Sequence, residues 1–282
     1  MKDATQDYAR WIGRTEIVED DISLAPALAA AATIDDTVTQ FGKGVALPPL
    51  WHWFYFLPRA PQATLGSDGH SPRGSFMPPI PYPRRMFAGA RLRFYRPLVI
   101  GQPAHREGVI RNVVQKSGRR GSLAFVTIGY RFLQQGEVCI DEEQDIVYRE
   151  PGPPVPAPRP IELPPVPEGA WLRIVMPDTR LLFRFSALTF NAHRIHYDLH
   201  YAMSEEGYPG LVIHGPLTAI LLLELVRHNT SRSIASFNFR AQAPLFDLAP
   251  FRLVGMPSEG RVELEAQGPD GKTAMNATAE FA

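Results

Sequence analysis

The segment Gly215-Pro216-Leu217-Thr218-Ala219-Ile220-Leu221-Leu222-Leu223-Glu224-Leu225-Val226-Arg227 constrains the fold more than any other part of the chain. Pro216 suits the first turn of a helix, and Arg227 and His228 suit its C-terminal end, where cations meet the negative pole of the helix dipole. The helix so marked is apolar around nearly its whole circumference. Protein must surround it, because a surface helix keeps a polar face.

The surrounding material reads as antiparallel strands. In residues 123–134, Ala124, Val126, Ile128, Tyr130 and Phe132 fall on one face while Thr127 and Arg131 fall on the other, the period of two that a half-buried strand requires. Residues 86–97, 108–115 and 137–148 read the same way, separated by turns rich in Gly, Ser or Lys. A short strand at 171–175, a segment at 181–190 and the helix follow. Strands at 233–242, 251–256, 262–267 and 273–281 then close the chain, the last two joined through the turn Pro269-Asp270-Gly271. Helical sequence in the first half is confined to 25–41 and 50–57, and neither resembles the helix after Gly215.

Proline divides the chain. Of 28 prolines, nine lie in the nineteen residues 151–169, a stretch that cannot donate ladder hydrogen bonds and favours extended backbone. The expected organisation is therefore a domain over 1–150, a linker over 151–169 and a second domain over 170–282. Nine more prolines lie in 48–83 with Gly66, Gly69 and Gly74, which predicts a long irregular segment of the kind that lines sites.

Charge narrows the function. The 29 basic and 29 acidic side chains cancel, which removes the positive field by which a protein holds nucleic acid. No apolar run approaches the ~18–20 residues that span a bilayer, so no membrane association is expected. One cysteine, Cys139, allows neither an intrachain disulfide nor a Cys-rich zinc site, and a reducing, cytoplasmic location follows. Dinucleotide, phosphate-loop, hydrolase-elbow and dithiol motifs are absent.

Five of the eight histidines lie between 193 and 228. His196 is placed to act as a general acid or base, with Asn191 five residues earlier placed to hold a water against it. His214 and Gly215 precede the apolar helix, whose first N–H groups have no intrahelical partner and point outward. A Gly215 N–H with no side chain in the way suits a thioester oxygen that gains charge, although a tight strand-to-helix turn would also explain the glycine. His193, His196 and His200 share the spacing of a helical metal face, but no recognised zinc-helix motif accompanies them and no metal is expected. The aromatic run Trp51, Trp53, Phe54, Tyr55 and Phe56 reads as core before it reads as an acyl tunnel. Basic groups at Arg84, Arg85, Arg91, Arg93 and Arg96, and at Lys116, Arg119 and Arg120, read chiefly as solvated charge.

Residues 185–198, Phe-Ser-Ala-Leu-Thr-Phe-Asn-Ala-His-Arg-Ile-His-Tyr-Asp, resemble the signature of the MaoC-like hot dog-fold enoyl-thioester hydratases, Phe-x-x-Leu-Ser-Gly-Asp-x-Asn-Pro-Ile-His-x-Asp. His214-Gly215 resembles the element that opens their central helix. Phe185, Leu188, Ile195, His196 and Asp198 agree with that signature, while Thr189 stands at its Ser, Asn191 at its catalytic Asp and His193 at its Asn. The Thr-Phe-Asn-Ala-His-Arg-Ile-His-Tyr-Asp form is similar to that of the group acting on 3-methylfumaryl-CoA (mesaconyl-CoA) and of the related mitochondrial-type hydroxyacyl-thioester dehydratases.

The resemblance implies an α+β double hot dog, with the buried central helix in an active C-terminal half and a degenerate N-terminal half that has lost its own. It implies reversible hydration of a short α,β-unsaturated acyl-CoA, without a cofactor. Asn191, His196 and His193 would be the catalytic group, Gly215 the oxyanion donor, and Asp198 and His214 supporting residues. A neutral amide at 191 cannot act as a base, so His196 must carry more of the proton traffic. A homodimer stays open. The competing readings are a (3R)-hydroxyacyl-thioester dehydratase of fatty-acid metabolism, thioester hydrolysis, and a non-catalytic acyl-CoA binding module.

Overall fold

A computed structural model describes residues 8–118 and 121–282. Arg119 and Arg120 of the second basic group lie outside them. The elements in chain order are β1 (Thr15–Asp20), α1 (Leu24–Ile34), β2 (Arg84–Phe94), β3 (Ala104–Gly118), β4 (Gly121–Gln134), β5 (Glu137–Arg149), β6 (Trp171–Val175), α2 (Thr179–Leu188), α3 (Leu199–Ser204), α4 (Gly215–Asn229), β7 (Ile234–Ala241), β8 (Phe251–Pro257), β9 (Arg261–Gln267) and β10 (Thr273–Phe281). The ten strands form one sheet in the order β1-β3-β4-β5-β2-β7-β10-β9-β8-β6. Antiparallel pairing of β2 with β7 joins five strands of the first half to five of the second. The stretch 151–169 contributes no strand or helix.

The alternating patterns hold where tested by burial. Ala124, Val126, Ile128, Tyr130 and Phe132 of β4 are buried, and Arg131 is exposed. On β10, Met275, Ala277 and Ala279 are buried while Asn276 and Glu280 face water. The sheet curves round α4, which packs against β2, β6, β8, β9 and β10 and buries every residue from Leu217 to Val226. This is the helix-in-sheet arrangement that a double hot dog requires.

The first half departs from the sequence reading in three places, one of them being that the helical stretch anticipated over 50–57 reduces to a 3-10 turn, Trp51–Phe54. Strand β1 was not anticipated; its alternation of exposed and half-buried residues leaves it without a strong apolar signature at the sheet edge. The helical stretch anticipated to residue 41 stops at Ile34, because Asp35 adopts the left-handed conformation (φ 59°) and the Asp36 side chain accepts the N–H groups of Val38 and Thr39 in a turn. Helix α1 then packs on α2 and on the aromatic turn Trp51–Phe54. That turn fills the space over the first half's sheet. Phe56 packs edge-on against Phe132 of β4, and His52 bonds Glu142 of β5 at 2.7 Å.

The first half also grips the end of α4. Glu224 is buried, accepts Trp51 Nε1–H at 2.9 Å and meets Arg227, whose guanidinium also donates to Thr39 and lies 3.6 Å from Asp36. The carboxylates are almost fully sequestered, with side-chain exposure of 2% for Glu224 and 1% for Asp36. Removing one partner from such a group leaves uncompensated buried charge. Arg227→Met is therefore expected to destabilise the fold by about 3–5 kcal/mol, read as a lower urea midpoint with an unchanged slope.

Candidate active site

Helix α2 ends in a way that positions the residue after it. Asp178 caps its start by accepting Leu181 N–H, and at its other end Phe190 turns into the left-handed region at φ 48° while Asn191 N–H reaches back to Ser186 O. The hydratase signature carries glycine at the position of Phe190. A phenylalanine held there is strained, and the turn it makes delivers Asn191 into the loop that follows. The Asn191 Oδ1 accepts His193 N–H at 3.0 Å, which leaves the Nδ2 amide as the group it can offer a bound molecule.

His193 precedes a single 3-10 turn, Arg194–His196, that is tied to the strand-like run before α4. Val212 N–H donates to Ile195 O at 3.0 Å, and His196 Nδ1 bonds Val212 O at 2.7 Å. A carbonyl can only accept, so Nδ1 carries the proton and Nε2 of His196 keeps its lone pair. The His196 ring stacks on His214 with centroids 3.6 Å apart and planes 17° apart. His214 is bonded through Nε2 to Ser186 Oγ at 2.8 Å, its Nδ1 is buried without a partner, and it is the N-cap of α4, immediately before Gly215.

The four imidazoles that line this site form a run. His70 lies against His193 with centroids 4.0 Å apart, His193 meets His196 edge-on at 5.5 Å, and His196 stacks on His214. His70 was placed among the dispersed histidines by sequence spacing. It arrives on the irregular segment 48–83, whose length and composition pointed to a site-lining loop without saying which residue it delivers. That segment docks where Arg194 N–H donates to Asp68 O at 3.0 Å and the Arg194 guanidinium donates to Ser67 O. Gly69, at φ 88°, sits so close to the Ala192 carbonyl that any Cβ would overlap it.

Burial sets the protonation of the run. It holds His196 down at about 4, with a smaller contribution from the neighbouring His70, against the opposing pull of its bond to Val212 O. His193 is held far below its ordinary range by burial and by His70 and His196 beside it, and His214 likewise by burial and by the two neighbouring imidazoles. His70 is lowered by burial, with the bond to Asp68 opposing and Arg85 and Arg73 adding to the fall. These rings are neutral near pH 7.

Other anticipated residues have local duties. Asp198 caps α3 by accepting Tyr201 N–H at 3.0 Å and holds the Arg194 guanidinium at 2.8 Å, so it stabilises the turn that carries His196. His200 is exposed and bonded to Ser204. The helical face that would have gathered His193, His196 and His200 does not form, since a 3-10 turn and a separate helix divide them, and among the described residues no three His, Cys, Asp or Glu side chains are arranged to hold a metal ion. Arg84, Arg91 and Arg96 pair with Glu206, Asp145 and Glu137. Among the described residues no helix is long and apolar enough to cross a membrane.

Comparison with known proteins identifies the family and the fold. Residues 50–247 match the family pattern of hydroxyacyl-thioester dehydratase type 2. The chain is 69% identical over 278 residues, 99% of each chain, to a mesaconyl-C(4)-CoA hydratase of Chloroflexus aurantiacus. A MaoC-like dehydratase structure superposes with a TM-score of 0.72 at 14% identity, covering 96% of this chain and 98% of that one. A Mycobacterium tuberculosis protein described as having a double hotdog fold superposes at 0.57, also at 14% identity, over 96% of both chains.

Two measurements test the site as built. Gly69→Ala must lift the loop from Ala192, so the Arg194 amide, which donates to Asp68 O, is expected to lose hydrogen-exchange protection while amides of α4 keep theirs. The four depressed imidazoles bind protons more weakly in the folded than in the unfolded chain. Their contribution to stability is therefore complete above the ordinary histidine value of 6.5 and is lost as pH falls toward about 4, where His196 itself protonates, which urea midpoints across that window will show.

Proposed function

Because the chain belongs to the hydroxyacyl-thioester dehydratase type 2 family, we propose that it is a hydro-lyase that reversibly adds water across the double bond of a short α,β-unsaturated acyl-CoA, with 3-methylfumaryl-CoA (mesaconyl-C(4)-CoA) giving a methylmalyl-CoA as its leading reaction. The observation that carries this reading is the stacking of His196, with its Nε2 lone pair free of the Val212 bond, on the residue that precedes Gly215 at the tip of α4. A base and a peptide N–H donor stand side by side. The leading substrate rests on the identity to the Chloroflexus hydratase.

The reaction then runs as a conjugate addition. His196 Nε2 takes a proton from water as its oxygen bonds the β-carbon, and the displaced electron pair moves through the α-carbon onto the thioester oxygen. The Gly215 N–H, which has no intrahelical acceptor, stabilises that oxygen where charge develops. The imidazolium returns the proton to the α-carbon and the carbonyl re-forms. Asn191 orients the water through Nδ2, and His193 supports the His196 ring from its edge. Gly215 has a negative φ, and a methyl group there would meet only Phe87 O at 3.8 Å, so neither the turn nor the packing demands glycine. Close approach of a ligand does.

In this reading residues 1–150 and 170–282 are two hot dog units joined by 151–169, the second carrying the chemistry. The enzyme would work in the cytoplasm, with its single thiol, Cys139, buried. A longer-chain hydroxyacyl-thioester dehydratase is the second reading, favoured by the family's name. Against it, the aromatic run is spent on packing: Trp51 stacks on Phe41 at 4.9 Å, Phe54 meets Phe185 and Phe56 meets Phe132.

Turnover of mesaconyl-C(4)-CoA, crotonyl-CoA and a twelve-carbon 2-enoyl-CoA, followed by loss of the conjugated-thioester absorbance, separates the two. The dicarboxylic ester is expected to have the highest kcat/KM, and preference for the long chain would establish the second reading instead. His196→Ala is expected to lower kcat by roughly 10²–10⁴-fold, and full activity in that variant would remove the mechanism.

A further inference from the structure

Asn191 leaves the signature segment without the carboxylate that its chemistry normally uses, and Asp198 is committed to Arg194 and the start of α3. A proton taken by His196 would create a cation among buried, neutral rings. Such a charge is costly unless an anion lies near. The structure brings a carboxylate from the other half of the molecule to the far end of the imidazole run, two rings from His196. Asp68 Oδ2 bonds His70 Nδ1 at 2.9 Å, Asp68 Oδ1 accepts His70 N–H at 2.9 Å, and the His70 ring lies against His193 with centroids 4.0 Å apart. The pair is enclosed, with side-chain exposure of 18% for Asp68 and 14% for His70.

We propose that Asp68 and His70 are positioning residues of the active site, the carboxylate fixing His70, the His70 ring fixing His193 against His196, and the negative charge stabilising the imidazolium that forms on His196. The proposal rests on the hydratase reading above and extends it to residues outside the family signature.

The geometry supports a specific rather than an incidental role. The loop is closed on itself by Gly66 N–H to His70 O and Gly69 N–H to Gly66 O, both at 2.9 Å, and the bond that Asp68 Oδ1 accepts from His70 N–H is one that an asparagine amide oxygen also accepts. Docking to the site segment uses the backbone carbonyls of Ser67 and Asp68. Both of the Asp68 side-chain bonds go to His70, one to its backbone and one to its ring. A carboxylate accepts only, so His70 Nδ1 carries the proton and its Nε2 is bare. Burial would raise Asp68, but the bonds that it accepts from the His70 side chain and backbone N–H outweigh this and hold the carboxyl far below its usual range. Groups facing His70 are Asp68 and Arg73 from its own loop, His193 from the signature segment and Arg85 from β2, and the two arginines make Asp68 the charge that balances the site. This is the arrangement by which a carboxylate beyond the reacting group sets the tautomer and orientation of an imidazole.

Asp68→Asn is nearly isosteric and keeps both backbone docking contacts while removing the charge. The expected result is a kcat roughly 10–100-fold lower on mesaconyl-C(4)-CoA with KM within about twofold and an unchanged Tm. Unchanged kcat would overturn the proposal, as would a rise in KM alone, which would make the pair a substrate contact. A readout independent of turnover is the ¹⁵N chemical shift pattern of His70. Wild-type protein is expected to show Nδ1–H with an unprotonated Nε2, and an Nε2–H tautomer there would overturn the proposal even if the variant does not fold. Should the wild-type chain hydrate none of the three esters, the hydratase reading fails on that result, and the tautomer still decides whether Asp68 holds His70.

Discussion

A helix with no polar face can persist in water only if protein encloses it, and α4 buries ten consecutive residues, Leu217 to Val226, inside a sheet that curves around them. That enclosure decides what the two ends of the helix can do. Its sides are sealed by apolar packing, so the unpaired N–H groups of its first turn can meet a ligand only at the tip, beside His214 and Gly215. The same burial strips water from the imidazoles around that tip and holds them neutral, which suits His196 to accept a proton and makes any cation formed there depend on nearby negative charge.

The two halves of the chain are not independent scaffolds. The first half holds the far end of α4 through Asp36, Thr39 and Trp51, and its strand β2 runs beside the near end, where Phe87 faces Gly215. Its irregular segment then closes over the signature residues with Asp68, Gly69 and His70. A half that has lost a central helix keeps a reason to exist: it fixes the position of the helix in the other half and delivers side chains to the site. The aromatic turn Trp51–Phe54 occupies the space over its sheet and turns that space into core.

The signature itself is altered in a connected way. Where the resembling family has glycine and aspartate, this chain has Phe190 and Asn191, yet Phe190 still takes the left-handed conformation that glycine takes readily. A glycine could follow the same backbone path here without strain, while the side chain after it is an amide in place of an acid. That path keeps His193 and His196 in place. Changing the side chain shifts the demand for charge elsewhere, and Asp68 meets it from outside the segment.

Local pattern was enough to establish α4 and strands β2 to β10 apart from their exact ends, and it singled out His193, His196, His214 and Gly215, which the fold gathers at the tip of α4. Each of those rests on neighbours in sequence: a period of two, an apolar circumference, or a spacing of a few residues. Strand β1 carried too little apolar alternation to be seen, and α1 ended early because of a left-handed Asp35 that no periodicity announces. The contact of His70 with His193 joins residues more than a hundred positions apart through a loop without regular structure. Only the tertiary fold decided that contact, because it depends on a glycine fitting against the Ala192 carbonyl and on backbone groups of Ser67 and Asp68 meeting Arg194, and such complementarity leaves no periodic trace along the chain.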